Sequence, residues 1–206
     1  MPPRALWASF ELGRPLGAPN NAAFQREVLL AALNLLIRER GPVILEDFPK
    51  DDPNAEADLG WSDPVVLPDG GSLAEEVAAV KPAYETAIAR TGRTTVGLTG
   101  MSMDETVEYI NAIAEGRRPE SPLEGYSSIL GFRFAADDIK AFYLEAASGG
   151  GHPNSKQMVA WFWDQTIAGQ TLIAIRSQLQ ASDRKAENVI GNLTLVPGVQ
   201  VVRKQL

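Results

Sequence analysis

The chain has 206 residues, carries a net charge of −7 and contains no cysteine. The lack of cysteine excludes disulfides, thiolate catalysis, iron–sulfur clusters and cysteine-ligated zinc. There are 19 basic and 26 acidic residues, and the basic ones form no stripe. Proteins that bind nucleic acid gain much of their affinity by neutralising phosphates, so we expect no nucleic-acid partner.

Metal and membrane sites are also poorly supported by the composition. The one histidine, His152, cannot make a histidine-rich metal site within one copy of the chain. The acid pairs Glu46-Asp47 and Asp51-Asp52 leave a carboxylate site for a hard cation open, but they lack the spacing of a calcium loop, so we expect them to be solvated. We therefore expect no metal and no cofactor. No apolar run reaches bilayer length and Met1–Arg4 has no signal-peptide core, which favours a cytoplasmic protein without a membrane partner.

The first segment has the pattern of a strand, a loop, a helix and a second strand. Residues 4–10 are short and mostly apolar, as in a buried strand. Residues 11–19 contain two glycines and two prolines and predict a loop with a defined path. Asn20 or Asn21 can cap the helix that follows, and Gly41-Pro42 ends it before the apolar run 43–45. The predicted apolar face of this helix consists of Phe24, Val28, Ala32, Leu35 and Leu36.

The rest of the chain is predicted to be mainly helical. Residues 49–71 are rich in Pro, Gly and Asp and predict an ordered connecting segment, and residues 72–206 form the extension beyond it. The extension should contain a helix from Ser72 that Pro82 kinks or splits, a capping box at Ser102 and a helix over 135–147. The remaining expectations are a weak strand at 94–96, the longest helix over about 154–181 and an extended tail over 194–202.

These elements predict a helix-rich α/β fold with a small, mainly parallel sheet. The domain organisation that follows is residues 1–48, the connecting segment 49–71 and the helical extension 72–206. Because two short strands make a very small sheet, a partner chain that completes it is part of the expectation.

The run from Arg4 to Gln25, with Val28–Leu33 after it, resembles a known family. The pieces Gly13-Arg-Pro-Leu-Gly17 and Gly17-Ala-Pro-Asn-Asn21 carry most of the similarity, and Gly41-Pro-Val-Ile-Leu-Glu-Asp-Phe-Pro49 adds to it. The segment is similar to the C-terminal strand, Gly/Pro loop and last helix of the selenoprotein B family. That family contains the substrate-reducing subunits of glycine, sarcosine, betaine and D-proline reductases and many bacterial relatives of unassigned substrate.

The resemblance implies a split enzyme, because the family's reactive selenocysteine or cysteine lies upstream of this segment. Nothing in the present chain corresponds to that residue. The implied function is a non-redox subunit of an oxidoreductase that acts on a small amino-acid-like substrate. A separate polypeptide with cysteine or selenocysteine would be its partner.

The Gly/Pro loop is also a candidate site on physical grounds. A loop from the end of a buried strand to a helix N-terminus is where open α/β sheets bind ligands, and the helix end suits a carboxylate. Arg14 could clamp that carboxylate, Glu11 could hold an amine or orient Arg14, and Asn20 and Asn21 would line the helix end. The alternative is an ordinary connection with Arg14 paired to Glu11 at the surface.

Two further candidates lie in the extension. His152 follows three glycines and could be a general acid or a ligand in a shared site, although a solvated histidine beside a hinge is the alternative. Trp161, Phe162 and Trp163 would cover about 200° of a helix surface. One-sided burial cannot cover all three, so one ring should meet another chain or a pocket, and Trp163 is the candidate for a substrate contact. Ser102 does not fit a nucleophile elbow and is predicted to be structural.

Two other functions remain open at this stage. The first is a binding or assembly module without chemistry that self-associates, through the tryptophan helix, into a homo-oligomer. The second is a cofactor-independent lyase or hydrolase that uses carboxylates such as Glu11.

Overall fold

The structure is a computed structural model that describes residues 4–10, 14–17, 20–39, 41, 43–53, 61–68, 70–149 and 153–197. The chain divides into two compact units, Met1–Leu59 and Gly60–Leu206. The boundary lies within the segment 49–71 that the sequence predicts to be a connection. No helix in the described ranges combines the length and the hydropathy needed to cross a membrane.

The first unit is a small α/β unit. Its elements are strand β1 (Arg4–Trp7), helix α1 (Ala22–Asn34) with a 3₁₀ turn (Leu35–Ile37), and strand β2 (Ile44–Asp47). The two strands are parallel, with Arg4 opposite Ile44 and Trp7 opposite Asp47. Together with the helices of the second unit, they confirm the predicted helix-rich α/β class with a small parallel sheet.

A small aromatic core joins α1 to one face of this sheet. The rings of Phe10, Phe24 and Phe48 lie with centroids 5.6–5.8 Å apart in tilted and edge-on arrangements. Val28 is buried beside them, and Leu6 packs against the same cluster. Ala32 and Leu36, predicted to be on the buried side of α1, are exposed instead. For Leu36 the reason is the 3₁₀ turn, which changes the helical phase after Asn34 and buries only Leu35.

The second unit is a helical bundle. In chain order its helices are α2 (Leu73–Thr91), α3 (Met103–Ala114), α4 (Ser128–Gly149), α5 (Ser155–Ala160), α6 (Ile167–Gln180) and α7 (Lys185–Leu193). Helix α4 contacts α2, α3 and α7, and its residues Phe132, Ile139 and Tyr143 are fully enclosed. The bundle is therefore built around α4, which begins seven residues before the predicted start at Ala135.

The helix starts follow the predicted capping chemistry. Ser72 and Ser102 each accept a hydrogen bond from the backbone three residues later, and Glu75 and Glu105 bond back to the capping residues. Ser102 is therefore a structural residue, as predicted. Pro82 does not split α2, which continues to Thr91, because Val77, Val80 and Ala87 bury both halves of the helix against the bundle.

The prediction of one long helix over 154–181 is wrong. Asn154 caps the short helix α5, and a π-helical turn, Trp161–Gln165, follows it. Thr166 then adopts an extended conformation and caps α6, with its hydroxyl donating to the carbonyl of Phe162 at 2.6 Å. The apolar periodicity was similar on both sides of Thr166, so the break was not evident from the sequence.

Two extended segments were also predicted in this unit. Residues 94–96 are not a strand but a loop, because Glu145 accepts hydrogen bonds from the backbone and hydroxyl of Thr95. Residues 194–197 follow α7 as a turn, with Leu195 buried. The predicted tail beyond residue 197 lies outside the described residues.

Candidate functional site

The carboxyl end of the two-stranded sheet is where the predicted loop site lies. The turn Arg14–Gly17 is closed by a hydrogen bond of 2.9 Å from the Gly17 amide to the Arg14 carbonyl. Gly17 has φ +82°, and a Cβ on it would stand 2.7 Å from the ring of Phe24 in α1 and 3.4 Å from a carboxylate oxygen of Asp52. Glycine thus lets the turn lie directly on the start of α1 and beside the loop after β2.

The loop after β2 is tied to the end of β1. Ser9 donates a hydrogen bond of 2.5 Å to Asp51, and Lys50 pairs with Glu27 of α1 at 2.5 Å. Asp51, which belongs to the acid pair Asp51-Asp52, therefore links the ends of the two strands and is not simply solvated. The structure brings the Arg14 turn, the N-terminus of α1 and the 50–52 loop together at one edge, as expected for a ligand site in an open sheet.

The structure decides between Asn20 and Asn21 as the capping residue of α1. Asn21 is the capping residue, and its side-chain oxygen accepts a hydrogen bond of 3.2 Å from the Phe24 amide. Asn20 precedes it with φ 64°, in the left-handed region that asparagine tolerates. In the described first turn of α1 there is no acidic side chain, so no residue within that turn neutralises the positive end of the helix dipole. The side-chain oxygen of Asn21 accepts the capping hydrogen bond, so its side-chain NH2 group is the part that could bind a ligand.

Two of the predicted site residues cannot be placed. Glu11 and His152 lie outside the described residues, so neither the predicted Glu11–Arg14 arrangement nor a shared histidine site is tested. Arg14 itself is half-buried at the base of its turn.

Trp163 does not lie on a surface for substrate. The expectation that one of the three aromatic residues would meet another chain or a pocket is wrong, because Trp161, Phe162 and Trp163 are all buried within the chain. Their π-helical turn packs against Tyr143 of α4, whose ring lies edge-on to that of Phe162 with the two centroids 5.5 Å apart. A Cβ at Gly169 would lie 2.1 Å from the Phe162 carbonyl oxygen. This glycine allows α6 to start against the turn and to close the space around all three rings.

The far side of the sheet is an exposed apolar surface, which we call the bare face. Leu6 faces the aromatic core, so the alternation of strand side chains puts Trp7 on the opposite side. The parallel register places Leu45 opposite Ala5 on this same side, and Val43 lies two residues before Leu45. Trp7, Val43 and Leu45 are exposed by 55%, 54% and 63%. Parallel sheets are normally covered on both faces, so an exposed apolar face is unusual for this kind of sheet.

Helix α1 and its 3₁₀ turn expose a second apolar surface, which we call the leucine face. It consists of Leu29, Leu30, Leu33, Leu36 and Ile37, which are exposed by 46–77%. At 100° per residue the three leucines of α1 itself centre on the side of the helix opposite Phe24 and Val28, and Leu36 and Ile37 follow in the 3₁₀ turn. A helix that is apolar on both sides is typical of one that is buried on both sides.

The helical unit contains a cavity of about 510 Å³ between α2 and the start of α3. Val77, Met101, Met103 and Phe142 are among its apolar lining residues, and Lys81 and Glu85 lie at successive turns of α2 beside it. Sequence reasoning did not single out this cavity, because its residues are far apart along the chain and Lys81 and Glu85 have the ordinary spacing of a helix surface.

Two buried carboxylates, Glu76 and Asp138, join distant segments of the helical unit through hydrogen bonds. Glu76 accepts hydrogen bonds from the Tyr143 hydroxyl and from the amides of Ile167 and Ala168, at 2.7–3.0 Å, and so caps α6 from a distant helix. Burial and the neighbouring Glu76 carboxylate raise the pKa of Tyr143 far above its usual value. Asp138 accepts from three successive amides, Gly97 to Thr99, and holds the loop before α3. These acids were missed because their hydrogen-bond partners lie far away along the chain, so no local sequence signal marks them.

Within the described ranges, no group of three or more histidine, aspartate and glutamate side chains is arranged to hold a metal ion.

The family models, the curated proteins and the solved structures with which the chain was compared include no match to it. The selenoprotein B resemblance therefore stays a prediction from residues 4–49.

Proposed function

We propose that this chain is a cytoplasmic, non-redox subunit of a two-component reductase-like enzyme related to selenoprotein B. Its partner is a polypeptide that carries the reactive cysteine or selenocysteine and adds parallel strands to the sheet of the first unit. The observation that carries the proposal is the bare face, Trp7, Val43 and Leu45, on a two-stranded parallel sheet.

The sheet itself supports a missing partner. Parallel strands occur almost always in larger sheets with helices on both faces, and two strands with one covering helix bury little apolar surface. In the described sheet each strand has one unpaired edge, which is the surface to which another strand adds. A partner with an α/β fold can pair with that edge and cover the bare face.

The carboxyl ends of the two strands favour a small substrate that carries a carboxylate or an amine. The free amides at the start of α1 and the Arg14 side chain favour a carboxylate, and Asp51 and Asp52 lie close by to attract an amine. Glu11 belongs to the same loop by sequence. In this proposal the chain binds and orients the substrate, and the partner's thiolate or selenolate reduces it.

Co-purification from the native source tests the proposal. We expect the chain to be recovered with a cysteine- or selenocysteine-bearing protein encoded by the neighbouring reading frame. Trp7→Glu and Leu45→Glu should abolish that recovery, because each puts a charge in the covered face. The matched control is Leu98→Glu, at an exposed leucine of the second unit, and it should leave recovery unchanged. Recovery of the wild-type chain without such a protein would contradict the proposal.

A second candidate is an assembly module without chemistry. The leucine face favours it, because this surface lies on α1 and not on the sheet edge where substrate would bind. A pure, stable homo-oligomer that binds no cysteine-bearing protein would support this candidate over the first.

A further inference from the structure

The cavity between α2 and the start of α3 has a wall that is fixed by hydrogen bonds. Its lining residues Val96, Gly97 and Met101 belong to the loop before α3. Asp138 of α4 holds this loop through three successive backbone amides at 2.8–3.0 Å, and Glu145 holds it through one more at 2.7 Å. A ligand that enters the cavity therefore does not have to order the loop, which removes one cost of binding.

The buried part of the lining is apolar and partly aromatic. Val77 and Phe142 are buried, and Tyr84 and Met103 are half-buried. The ring centroids of Tyr84 and Phe142 lie 4.6 Å apart, and methionine side chains adapt to ligands of different shape. This part of the cavity favours an aromatic or aliphatic group.

The exposed part of the lining carries charges that the described part of the chain leaves unpaired. Lys81, Glu85 and Asp104 line the cavity, and none of them forms a hydrogen bond or ion pair with another described residue. Two carboxylates against one ammonium give the lining a negative balance, and the chain as a whole carries a net charge of −7. The electrostatics therefore favour a cation over an anion.

Pro82 leaves a backbone acceptor at the wall of the cavity. It lies inside α2 and has no backbone N–H, so the carbonyl of Ala78, four residues earlier, lacks its ordinary helical donor. Ala78 is itself a lining residue. A carbonyl in this state favours a ligand that donates an N–H group.

We propose that this cavity binds a small primary amine that carries an aromatic or aliphatic group. The ammonium donates to the Ala78 carbonyl and pairs with the carboxylates of Glu85 and Asp104. The apolar group lies against the pair of rings and the methionine side chain. Lys81 repels the cation and so lowers its affinity. The inference concerns the second unit and does not depend on the proposed function.

Isothermal titration calorimetry of the full chain tests the assignment, with 2-phenylethylamine and 3-methylbutylamine as probes. We expect saturable binding of both amines with a Kd of about 0.1–1 mM. The acid 3-phenylpropionate, which has a carboxylate in place of the ammonium of 2-phenylethylamine, should not bind. Absence of saturable binding of both amines up to about 10 mM would overturn the inference, as would equal binding of the amine and the acid.

A variant that fills the cavity locates the binding. Ala78→Leu should abolish it, because the larger side chain occupies the space beside the carboxylates. The matched control Ala89→Leu, at an exposed alanine of the same helix outside the lining, should bind the amines as the wild type does. Circular dichroism of both variants checks that the helices are retained. Unchanged binding in a folded Ala78→Leu variant would place the amine elsewhere and contradict the inference.

Two further variants separate this site from an unspecific apolar contact. Pro82→Ala returns an N–H donor to the Ala78 carbonyl and should raise the Kd about threefold without loss of thermal stability, because alanine is the better helix former. Lys81→Gln should lower the Kd about threefold, because it removes the opposing cation. No change in Kd in either variant would contradict the proposed contacts. Weaker amine binding in Lys81→Gln, or tighter binding of phenylalanine than of 2-phenylethylamine, would overturn the inference in favour of a zwitterion.

Discussion

The two units of this chain differ in how completely they bury their own apolar surface. In the second unit the large side chains around α4 are enclosed, and buried carboxylates such as Glu76 and Asp138 have several hydrogen-bond donors each. The first unit buries Phe24 and Phe48, with Phe10 half-buried against them, and exposes the bare face and the leucine face. Burial of apolar surface is the main stabilising term in folding, so the second unit is expected to be stable alone and the first to depend on association.

The core of the second unit should give the largest effect. Phe132 is fully buried on α4, and Phe132→Ala should lower the free energy of unfolding by about 4 kcal/mol through lost burial and a cavity. Phe24→Ala, in the small core of the first unit, should leave the main urea transition of the isolated chain almost unchanged. Tryptophan fluorescence during urea unfolding measures both. Equal losses for the two variants would contradict the difference between the units.

The buried carboxylate of α2 should give the next largest effect. Glu76→Ala leaves the Tyr143 hydroxyl and the amides of Ile167 and Ala168 without their acceptor, which should cost about 3 kcal/mol. The neighbouring Glu75→Ala is the matched control. It removes only an exposed capping interaction and should cost much less than Glu76→Ala. Thermal unfolding of the two variants ranks them, and an equal loss would mean that Glu76 is not a structural centre.

The turn at the candidate site should give an intermediate effect that is confined to the first unit. Gly17→Ala combines a positive φ with a contact of 2.7 Å to the Phe24 ring, and should destabilise the turn by about 2 kcal/mol. Gly125→Ala has a similar φ of +78° but no atom within 4 Å of the added carbon, and should cost about 1 kcal/mol. Limited proteolysis should then cut the first unit faster in the Gly17 variant only. Equal cleavage in both variants would show that the turn does not lie on Phe24.

The smallest expected effect is the loss, at low pH, of the stabilisation from one ion pair in the second unit. Hydrogen bonds from the Arg118 guanidinium lower the pKa of Glu187 to about 2, against the opposing effect of burial. The folded-state pKa is below the usual 4.5, so the stabilisation is fully present above pH 4.5 and is lost as the pH falls towards 2. Because the pair is partly open to solvent, we expect about 1 kcal/mol. Unfolding free energies of the wild type and Glu187→Gln should differ at pH 6 and converge near pH 2. A constant difference across that range would contradict this assignment.

Local chemistry was predictable from the sequence, and long-range packing was not. Glycines, prolines and capping residues marked the first strand–loop–helix, the helix start at Ser72 and the capping box at Ser102, because these depend on neighbouring residues. The π-helical turn at Trp161 was not predictable, since it depends on the approach of Gly169 and on the rings of α4. The structure places the Arg14 turn at the carboxyl ends of the strands, while the site itself stays a prediction, and the apolar surface on β2 became evident only with the register of the strands.

Hydrogen exchange on the isolated full chain tests most directly whether the first unit is incomplete. In the isolated chain, the amides of β1 and β2 should exchange at least about a hundredfold faster than those at the centre of α4. The proposed cysteine-bearing partner should slow exchange in β1 and β2. Protection of β1 and β2 equal to that of α4 in the isolated monomer would contradict the account.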